Sequence, residues 1–304
     1  MVFYFGYQPE KLQACIYFAL YTIICRFPLL LAILGSPYPV YLFRRDNLVV
    51  LSVCLAFIVK TPIFLVHIWL PKAHVEAPVA GSIVLASVLL KLGSFGFMIL
   101  GLVFIAETIN LFLYLSLIGI VVCALCCLRS RDIKNLIAYS SVVHIGVVTG
   151  GVVSGQKLGY VAAIIIVIAH GFCSPIIFAS AGEIYKGSHT RTLRLNKGLL
   201  CRPAMSVALF FLIGTNIGMP PTVNLWSEIL FISRILSLAP LFLVFVIISV
   251  FLGALYNLYF YISLVHGKNS PCRKKEFGGP ELLLLFGPIW CLSPFFSLRM
   301  FIPF

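Results

Sequence analysis

The stretch VKTPIFLVHIWLPKAHVEAPVAGSIVLASVLLKLGSFGF, residues 59–97, places ionisable side chains in a segment that is otherwise apolar enough for lipid. These side chains are Lys60, His67, Lys72, His74, Glu76 and Lys91. An ionisable group inside a bilayer is costly unless it is paired or hydrated. The stretch therefore predicts membrane helices with a polar site between them, and its charged residues are candidate functional groups.

The composition of the whole chain agrees with a membrane location. Of its 304 residues, 61% are hydrophobic and 10% are charged, whereas soluble domains carry roughly a quarter charged residues. Apolar runs of about 20 residues are long enough to cross a bilayer as helices. We predict about nine spans, at 12–34, 48–70, 79–105, 110–128, 135–154, 158–181, 204–237 (interrupted), 240–265 and 282–302.

The spans are long and uniformly apolar, without the alternating pattern of barrel strands, so helices must satisfy the backbone in lipid. The expected fold class is all-α, a polytopic transmembrane helical bundle forming a single membrane domain over residues 1–304. We expect no cleavable signal peptide, because the first dozen residues lack a basic start and the apolar run that follows has the length of a span.

The formal net charge of +13 reflects membrane topology. With nine spans, fourteen loop Lys and Arg residues fall on one side of the membrane and four, at positions 44, 45, 157 and 299, on the other. Basic loops mark the cytoplasmic or matrix side. No basic patch interleaved with aromatic residues lies outside the spans, which argues against nucleic-acid binding.

Ten cysteines raise the possibility of redox or metal chemistry. Most lie within or at the ends of apolar spans, and CALCC at 123–127 lies inside one, where cysteine serves as a small hydrophobe. No histidine or acidic partner is near in sequence, and thiolates are costly in lipid. We therefore predict no disulfide and no metal site.

Two long spans are interrupted by proline. VKTPIF breaks the second span after Lys60, and GMPPTVNLWSEIL breaks the seventh before Glu228. Proline removes a helix hydrogen bond and clashes with the preceding turn, so each break exposes carbonyl groups. A single break is equally well a simple kink. Paired breaks are typical of a translocation site near the membrane midplane.

Five ionisable residues on five different spans fall at similar depth: Lys60, Lys91, His144, His170 and Glu228. Burial disfavours the charged form of lysine or glutamate and an opposite charge restores it, so a movable partner charge can load and unload a proton. Histidine can relay protons between them. The row therefore predicts a proton pathway parallel to the membrane plane.

Structural roles are the alternative for these groups. A lone histidine on a membrane helix is more often a hydrogen-bond donor to a neighbouring helix than a proton carrier. Lysine at mid-depth cannot easily reach the interface, which favours function for Lys60 and Lys91. Arginine does not deprotonate in proteins, so Arg26 and Arg234 are not expected to carry protons, and we expect Arg234 to reach an interface.

Several stretches closely resemble the antiporter-like proton-pumping subunits of mitochondrial respiratory complex I. They are HIWLPKAHVEAPVAGSIVLASVLLKLGSFGF at 67–97, YQPEKLQACIYFALYT at 7–22, DIKNLIAYSSVVHIG at 132–146, IAHGFCSP at 168–175 and GMPPTVNLWSEI at 218–229. They follow one another in family order over most of the chain, and LPKAHVEAP distinguishes this chain from the sister antiporter-like subunits.

The resemblance implies a role for each residue of the row. Lys60 matches the broken-helix lysine, Lys91 the central lysine, His144 and His170 the relay histidines, and Glu228 the terminal acid. It also implies a subunit of H⁺-translocating NADH:ubiquinone reductase in the mitochondrial inner membrane, with the basic side facing the matrix. NADH, flavin, iron–sulfur clusters and quinone would be bound by other subunits, and the sister membrane subunits would be partners.

The chain departs from the family pattern at its start. Family members carry a glutamate on the helix before the QPE motif, which pairs with the broken-helix lysine, and this sequence begins at that motif. The resemblance therefore implies the C-terminal part of a longer subunit, as a partial sequence or one piece of a split protein. Two other functions stay open: a cation/proton antiporter, stand-alone or multisubunit, and a scaffold whose buried charges fix helix packing.

Overall fold

The structure, a computed structural model, describes residues 11–35, 55–101, 106–220 and 222–267. Ten α-helices occupy these ranges: α1 (Lys11–Gly35), α2 (Trp69–Glu76), α3 (Val79–Val84), α4 (Leu90–Gly101), α5 (Ala106–Arg129), α6 (Ile133–Val153), α7 (Lys157–Ser188), α8 (Pro203–Ile217), α9 (Val223–Leu238) and α10 (Leu243–Val265). A π-helix, Leu85–Leu89, joins α3 to α4. Two 3₁₀ helices, Leu199–Cys201 and Pro240–Phe242, precede α8 and α10. The all-α fold class is confirmed.

Six helical stretches in the described residues are long and apolar enough to cross a membrane. They are Leu12–Leu31, Val79–Ile99, Leu111–Arg129, Ile133–Val153, Lys157–Ser188 and Pro240–Val265. All six coincide with predicted spans. The predicted interrupted span 204–237 is divided between α8 and α9. The predicted span 282–302 and the first part of 48–70 lie outside the described residues.

Helix α6 occupies the centre of the bundle. In the most apolar stretch of this helix 83% of the residues are buried, and the helix packs most extensively against α5 and α7. Glycine permits the close approach to α7, since a Cβ added at Gly151 would lie 2.7 Å from the carbonyl oxygen of Gly159. The residues on α6 are therefore shielded from lipid on several sides, and His144 is among them.

The first predicted break lies between a helical segment at 55–60 and α2. Proline at 62 offers no backbone N–H, and the chain passes through turns before α2 begins. The indole Nε1 of Trp69 donates a hydrogen bond to the carbonyl oxygen of Val59 at 3.0 Å, and the hydroxyl of Thr61 donates to Phe57 at 2.9 Å. Carbonyls near the break are thus satisfied inside the protein.

The second predicted break separates α8 from α9. Helix α8 ends at Ile217, and the next residue, Gly218, has a φ of +84°, the left-handed conformation that glycine adopts without strain. The side-chain Nδ2 of Asn224, in the first turn of α9, donates to the carbonyl oxygen of Thr215 at 2.8 Å. This bond connects the two half-helices across the break.

The loops before α6 and after α7 meet on one side of the bundle. Asp132 and Thr192 form an isolated antiparallel bridge, with Ile133 N–H donating to Arg191 O and Leu193 N–H donating to Arg131 O. Both loops were assigned from the sequence to the basic side of the membrane. Their direct pairing agrees with that topology.

Candidate functional site

Lys91 is positioned by the π-helix that precedes it. Within this turn the N–H of Leu90 donates to Leu85 O, five residues back. The Nζ of Lys91 donates to Ala86 O at 2.6 Å and lies 3.0 Å from Nδ1 of His170 on α7. π-turns inside α-helices are frequent at functional sites. Here the turn accompanies a lysine that is hydrogen-bonded to a histidine on another helix.

Gly171 on α7 leaves room for this lysine. A Cβ at Gly171 would lie 3.3 Å from Cε of Lys91, so the side chain runs along the α7 backbone to reach His170. His170 is 4% exposed. The histidine end of the contact is therefore shielded from bulk water, and a low local dielectric there strengthens the hydrogen bond.

His144 on α6 is the next group in the series. Its ring and that of His170 have centroids 5.2 Å apart and planes inclined at 40°. A cavity of about 10 Å³ is lined by Lys91, Ser94, His144 and His170, which is the space of about one water molecule. The structure thus brings Lys91, His170 and His144 together, as the sequence predicted.

Two asparagine side chains extend the series beyond His144. His144 Nε2 lies 3.0 Å from Oδ1 of Asn216, Nδ2 of Asn216 donates to Oδ1 of Asn257 at 2.9 Å, and Nδ2 of Asn257 donates to Gly253 O at 3.0 Å. His144 and both asparagines are at most 5% exposed. This chain of hydrogen bonds joins α6, α8 and α10.

Glu228 on α9 shares a cavity with these groups. The cavity has a volume of about 40 Å³, and His144, Asn216, Glu228 and Asn257 are among the residues that line it. It has room for a few water molecules. Glu228 itself is half-buried, and its Oε2 lies near the break, since a Cβ at Gly218 would be 3.3 Å from that atom.

Lys60 stands apart from the other four residues. It is half-buried, and among the described residues it has no hydrogen bond or ion pair. Helix α4 passes close by, because a Cβ at Gly93 would lie 2.8 Å from Cβ of Lys60. The structure therefore places Lys60 beside the helix that carries Lys91 and shows no polar contact linking it to the row.

Four further buried polar residues were left out of the predicted row, although one of them, His74, lies in the stretch first selected for its ionisable groups. Asn216 and Asn257 were not selected because an isolated asparagine in an apolar run gives no signal of its own. His74 is 0% exposed, neither of its ring nitrogens has a hydrogen-bond partner in the part of the chain that the structure describes, and it lies within electrostatic range of Lys91 and Lys134. Lys134 donates from Nζ to the carbonyl oxygen at position 77, at 2.6 Å. His74 lies in the motif LPKAHVEAP and Lys134 in DIKNLIAYSS, so the family motifs are the sequence signal that could have identified these two residues.

Arg234 on α9 was expected to reach a membrane interface. It is 3% exposed, and its partner Ser154 lies one residue beyond the candidate span Ile133–Val153. Its Nη2 donates to Ser154 O at 2.5 Å, and its Nη1 donates to the hydroxyl of Ser237 at 3.1 Å. Ser154 caps the C-terminus of α6, where the free carbonyls attract a cation. The guanidinium is therefore held by a helix end and stays inside the bundle.

A larger cavity opens on the basic side. It has a volume of about 290 Å³, and its lining includes Lys72, Glu76, Asp132, Asn135 and Tyr139. Because charged and amide groups line this cavity, it can hold water. Within the described ranges, no group of three or more His, Cys, Asp or Glu residues could hold a metal ion, and no disulfide joins any two of the seven described cysteines.

The transmembrane family described as NADH:quinone oxidoreductase/Mrp antiporter matches residues 40–253, more than half of the chain. The chain belongs to this family. The match includes both breaks and all five residues of the predicted row. It also confirms the resemblance inferred from the sequence motifs.

Relatives within the family include proteins named NADH-ubiquinone oxidoreductase chain 4. The protein of Ceratitis capitata is 40% identical over 284 residues, covering 86% of this chain and 62% of its own length. That of Lumbricus terrestris is 38% identical over 285 residues, covering 88% and 63%. The chain thus spans less than two thirds of the length of these relatives.

Solved structures share the fold of this family member. A chain of respiratory complex I from Thermus thermophilus aligns with a TM-score of 0.87 at 24% identity, covering 99% of this chain and 68% of that one. A chain of the Mrp complex from Dietzia sp. aligns with a TM-score of 0.85 at 14% identity, covering 96% and 66%. At these identities the likeness concerns the fold.

Proposed function

We propose that this chain forms part of a proton-translocating membrane subunit of respiratory complex I in the mitochondrial inner membrane. Proton transfer would be coupled to NADH oxidation and ubiquinone reduction carried out by other subunits. The similarity to proteins named NADH-ubiquinone oxidoreductase chain 4 supports the assignment. The observation that carries it is the partly buried hydrogen bond between Lys91 and His170, at 3.0 Å.

The first proton step follows from this contact. A charged Lys91 donates through Nζ to Nδ1 of His170, which accepts while it is unprotonated. Transfer along the bond leaves a neutral amine and a charged imidazole, and because burial disfavours both charged forms, the charges around the pair decide which of them holds the proton. Ala86 O accepts from Nζ throughout, so the lysine remains oriented when it loses the proton.

The path continues through water-sized spaces. The cavity of about 10 Å³ beside Lys91, His170 and His144 bridges the two imidazoles. The cavity of about 40 Å³ then joins His144 to Glu228. A carboxylate that faces water in an otherwise apolar setting accepts a proton readily. Glu228 is therefore assigned as the terminal acid, and Lys60 as the residue at the opposite end of the row.

Protons from the basic side would arrive through the cavity of about 290 Å³. His74 lies within electrostatic range of Lys91 and Lys134, and neither of its ring nitrogens has a hydrogen-bond partner among the described residues. It is two residues from Lys72 and from Glu76, which line this cavity, so we assign it as the group that passes protons from the cavity towards Lys91. Under this proposal the basic side is the matrix.

The chain is assigned no redox centre of its own. NADH, flavin, iron–sulfur clusters and quinone would be bound by other subunits, and the partners of this chain would be other membrane subunits, including sister antiporter-like subunits. Its own residues would hold and move protons.

The test replaces Lys91 by methionine in the full-length protein within its native membrane complex. Lys91→Met keeps the length and apolar character of the side chain and removes the ammonium group. We expect an assembled complex in which protons translocated per NADH oxidised, and the rate of quinone reduction, both fall sharply. The matched control is Lys157→Met, since Lys157 is an exposed lysine at the start of α7. Wild-type pumping by Lys91→Met would support a scaffold and overturn the proposal.

A cation/proton antiporter is the second candidate. The fold shared with a chain of the Mrp complex, at a TM-score of 0.85, favours it. The two functions differ in what accompanies the chain during purification from native membranes. Co-purification with NADH dehydrogenase activity supports a complex I subunit, and sodium-dependent proton exchange without that activity supports the antiporter.

A further inference from the structure

The amide pair Asn216–Asn257 lies beside His144 in the lining of the Glu228 cavity. Its two side chains, both buried, are hydrogen-bonded to one another at 2.9 Å, with His144 Nε2 3.0 Å from the free oxygen of Asn216. Neither side chain titrates, because an asparagine amide has fixed donors and a fixed acceptor. The pair can orient a neighbour and cannot itself carry a proton.

In this series of hydrogen bonds, the carbonyl oxygen of Gly253 at the far end determines which atom donates in every bond. Asn257 contacts Gly253 O at 3.0 Å, and a carbonyl oxygen can only accept, so the Asn257 atom facing it is the NH₂ group. The oxygen of Asn257 therefore faces Asn216, which must present its own NH₂ group. The oxygen of Asn216 is left to face His144.

His144 must consequently donate from Nε2. Because the facing atom of Asn216 can only accept, Nε2 carries a hydrogen whether the ring is neutral or charged. The nitrogen that gains and loses a proton is then Nδ1. A proton that arrives from His170 on Nδ1 leaves by the same atom as long as the bond to Asn216 lasts.

We propose that the Asn216–Asn257 pair is a latch that holds His144 in its Nε2–H tautomer and keeps protons on the Lys91 side apart from Glu228. The pair consists of positioning residues that act through His144. The direction of transport rests on the function proposed above, whereas the tautomer assignment does not.

Passage to Glu228 then requires the latch to open. His144 first gains a proton on Nδ1 and becomes imidazolium. When its bond to Asn216 breaks, the Nε2–H bond is cleaved, and the proton passes through water in the 40 Å³ cavity to form an O–H bond on Glu228. The ring is left neutral with its hydrogen on Nδ1. It resets when water relays the Nδ1 hydrogen to Nε2, which breaks the Nδ1–H bond, forms the Nε2–H bond and lets the Asn216 bond re-form. One proton has then passed from the Lys91 side to Glu228.

The latch is tested by ¹⁵N NMR of the full-length protein in its native complex, with labelled histidine and with His144→Gln to assign the His144 signals. We expect wild-type His144 to show a protonated Nε2 and an unprotonated Nδ1. A wild-type spectrum with a bare Nε2 and a protonated Nδ1 would overturn the proposal without any variant.

A variant separates the latch from simple packing. Asn257→Leu keeps the side-chain size and removes the acceptor that orients Asn216. We expect His144 to become a mixture of tautomers, and passive proton leak through the membrane to rise. Ser249→Ala is the matched control, because Ser249 lines the same cavity and its hydroxyl bonds only Val246 O of its own helix. An Asn257→Leu complex with the wild-type tautomer and leak would refute the latch.

The outcome of the His144 NMR experiment is independent of the outcome of the Lys91→Met test. If Lys91→Met leaves pumping intact, the proposed function fails, and the His144 spectrum still decides whether the latch exists. If the spectrum contradicts the latch, the Lys91 result still decides the function.

Discussion

In both broken helices a side-chain hydrogen bond connects the two halves, but the ionisable groups near the two breaks have different surroundings. In each, a side chain of the second half donates to a carbonyl of the first half: Trp69 to Val59 across ten residues, and Asn224 to Thr215 across nine. The first break leaves Lys60 without a polar partner among the described residues. The second leads into the cavity that joins Glu228 to His144. The hydrogen bond across each break satisfies a backbone carbonyl. A function in proton transfer depends instead on the ionisable group near the break and on its polar neighbours.

The largest expected effect tests whether both breaks serve one pathway. In the full-length protein within its complex, we expect Lys60→Met and Glu228→Gln each to lower proton pumping by about a hundredfold, the lower end of what a positioned proton-transfer group contributes. Residues of one pathway are not additive. The Lys60→Met/Glu228→Gln double variant should therefore pump no less than either single variant, measured as protons per NADH oxidised.

Glu183→Gln serves as the control for this comparison. Glu183 is paired with Lys186 at 2.6 Å near the end of α7, away from both breaks, so its loss should leave pumping unchanged. Effects that multiply in the double variant would mean that the two breaks belong to separate pathways.

A smaller effect concerns the stability of the two closures. Trp69→Phe strands the buried carbonyl of Val59, which costs about 1–3 kcal/mol, and also loses packing. Asn224→Leu strands the carbonyl of Thr215 but removes an Oδ1 that already lacks a partner. We therefore expect Trp69→Phe to lower the thermal unfolding temperature of the purified full-length protein more than Asn224→Leu does.

Tyr259→Phe, at an exposed aromatic position on α10, should leave that temperature unchanged. If Asn224→Leu proves the more damaging variant, the second break depends on its closing bond more than the first does, and the expected order of the two closures is wrong.

The smallest expected effect lies at the turn of the second break. Gly218→Ala places a Cβ on a residue with φ of +84°, which costs about 1–2 kcal/mol, and brings that atom to 3.3 Å from Glu228 Oε2. Gly187→Ala is matched to it, since Gly187 is helical and its Cβ would make only an ordinary contact at 3.8 Å. Thermal unfolding should show a loss for Gly218→Ala and none for Gly187→Ala.

Much of the fold could be predicted because its causes are local. Length, apolarity and proline placement are properties of short segments, so the six spans and both breaks follow from them. The association of Lys91, His170 and His144 was also predictable, because charged and imidazole groups in lipid have few alternatives to one another. Lys60 shows where prediction from local sequence ends, because its depth in the span could be predicted from the sequence but its contacts could not.

The residues that escaped prediction depend on neighbours distant in the chain. Asn216 and Asn257 are separated by 41 positions and matter because α8 and α10 place them face to face. Arg234 remains inside the bundle because Ser154, 80 residues away, offers it a helix end. Nothing in the local sequence of either pair signals the partner.

The π-helix at Leu85–Leu89 makes the direction of Lys91 a matter of residue count. Successive residues of an α-helix are about 100° apart around its axis. One extra residue in the turn therefore rotates everything that follows by about that angle relative to an uninterrupted α-helix. Closing the turn into a regular α-helix without changing the number of residues would therefore rotate Lys91 away from His170. Deleting one residue as the turn closes would instead leave the direction of the lysine unchanged, so the contact depends on the residue count and the type of turn together.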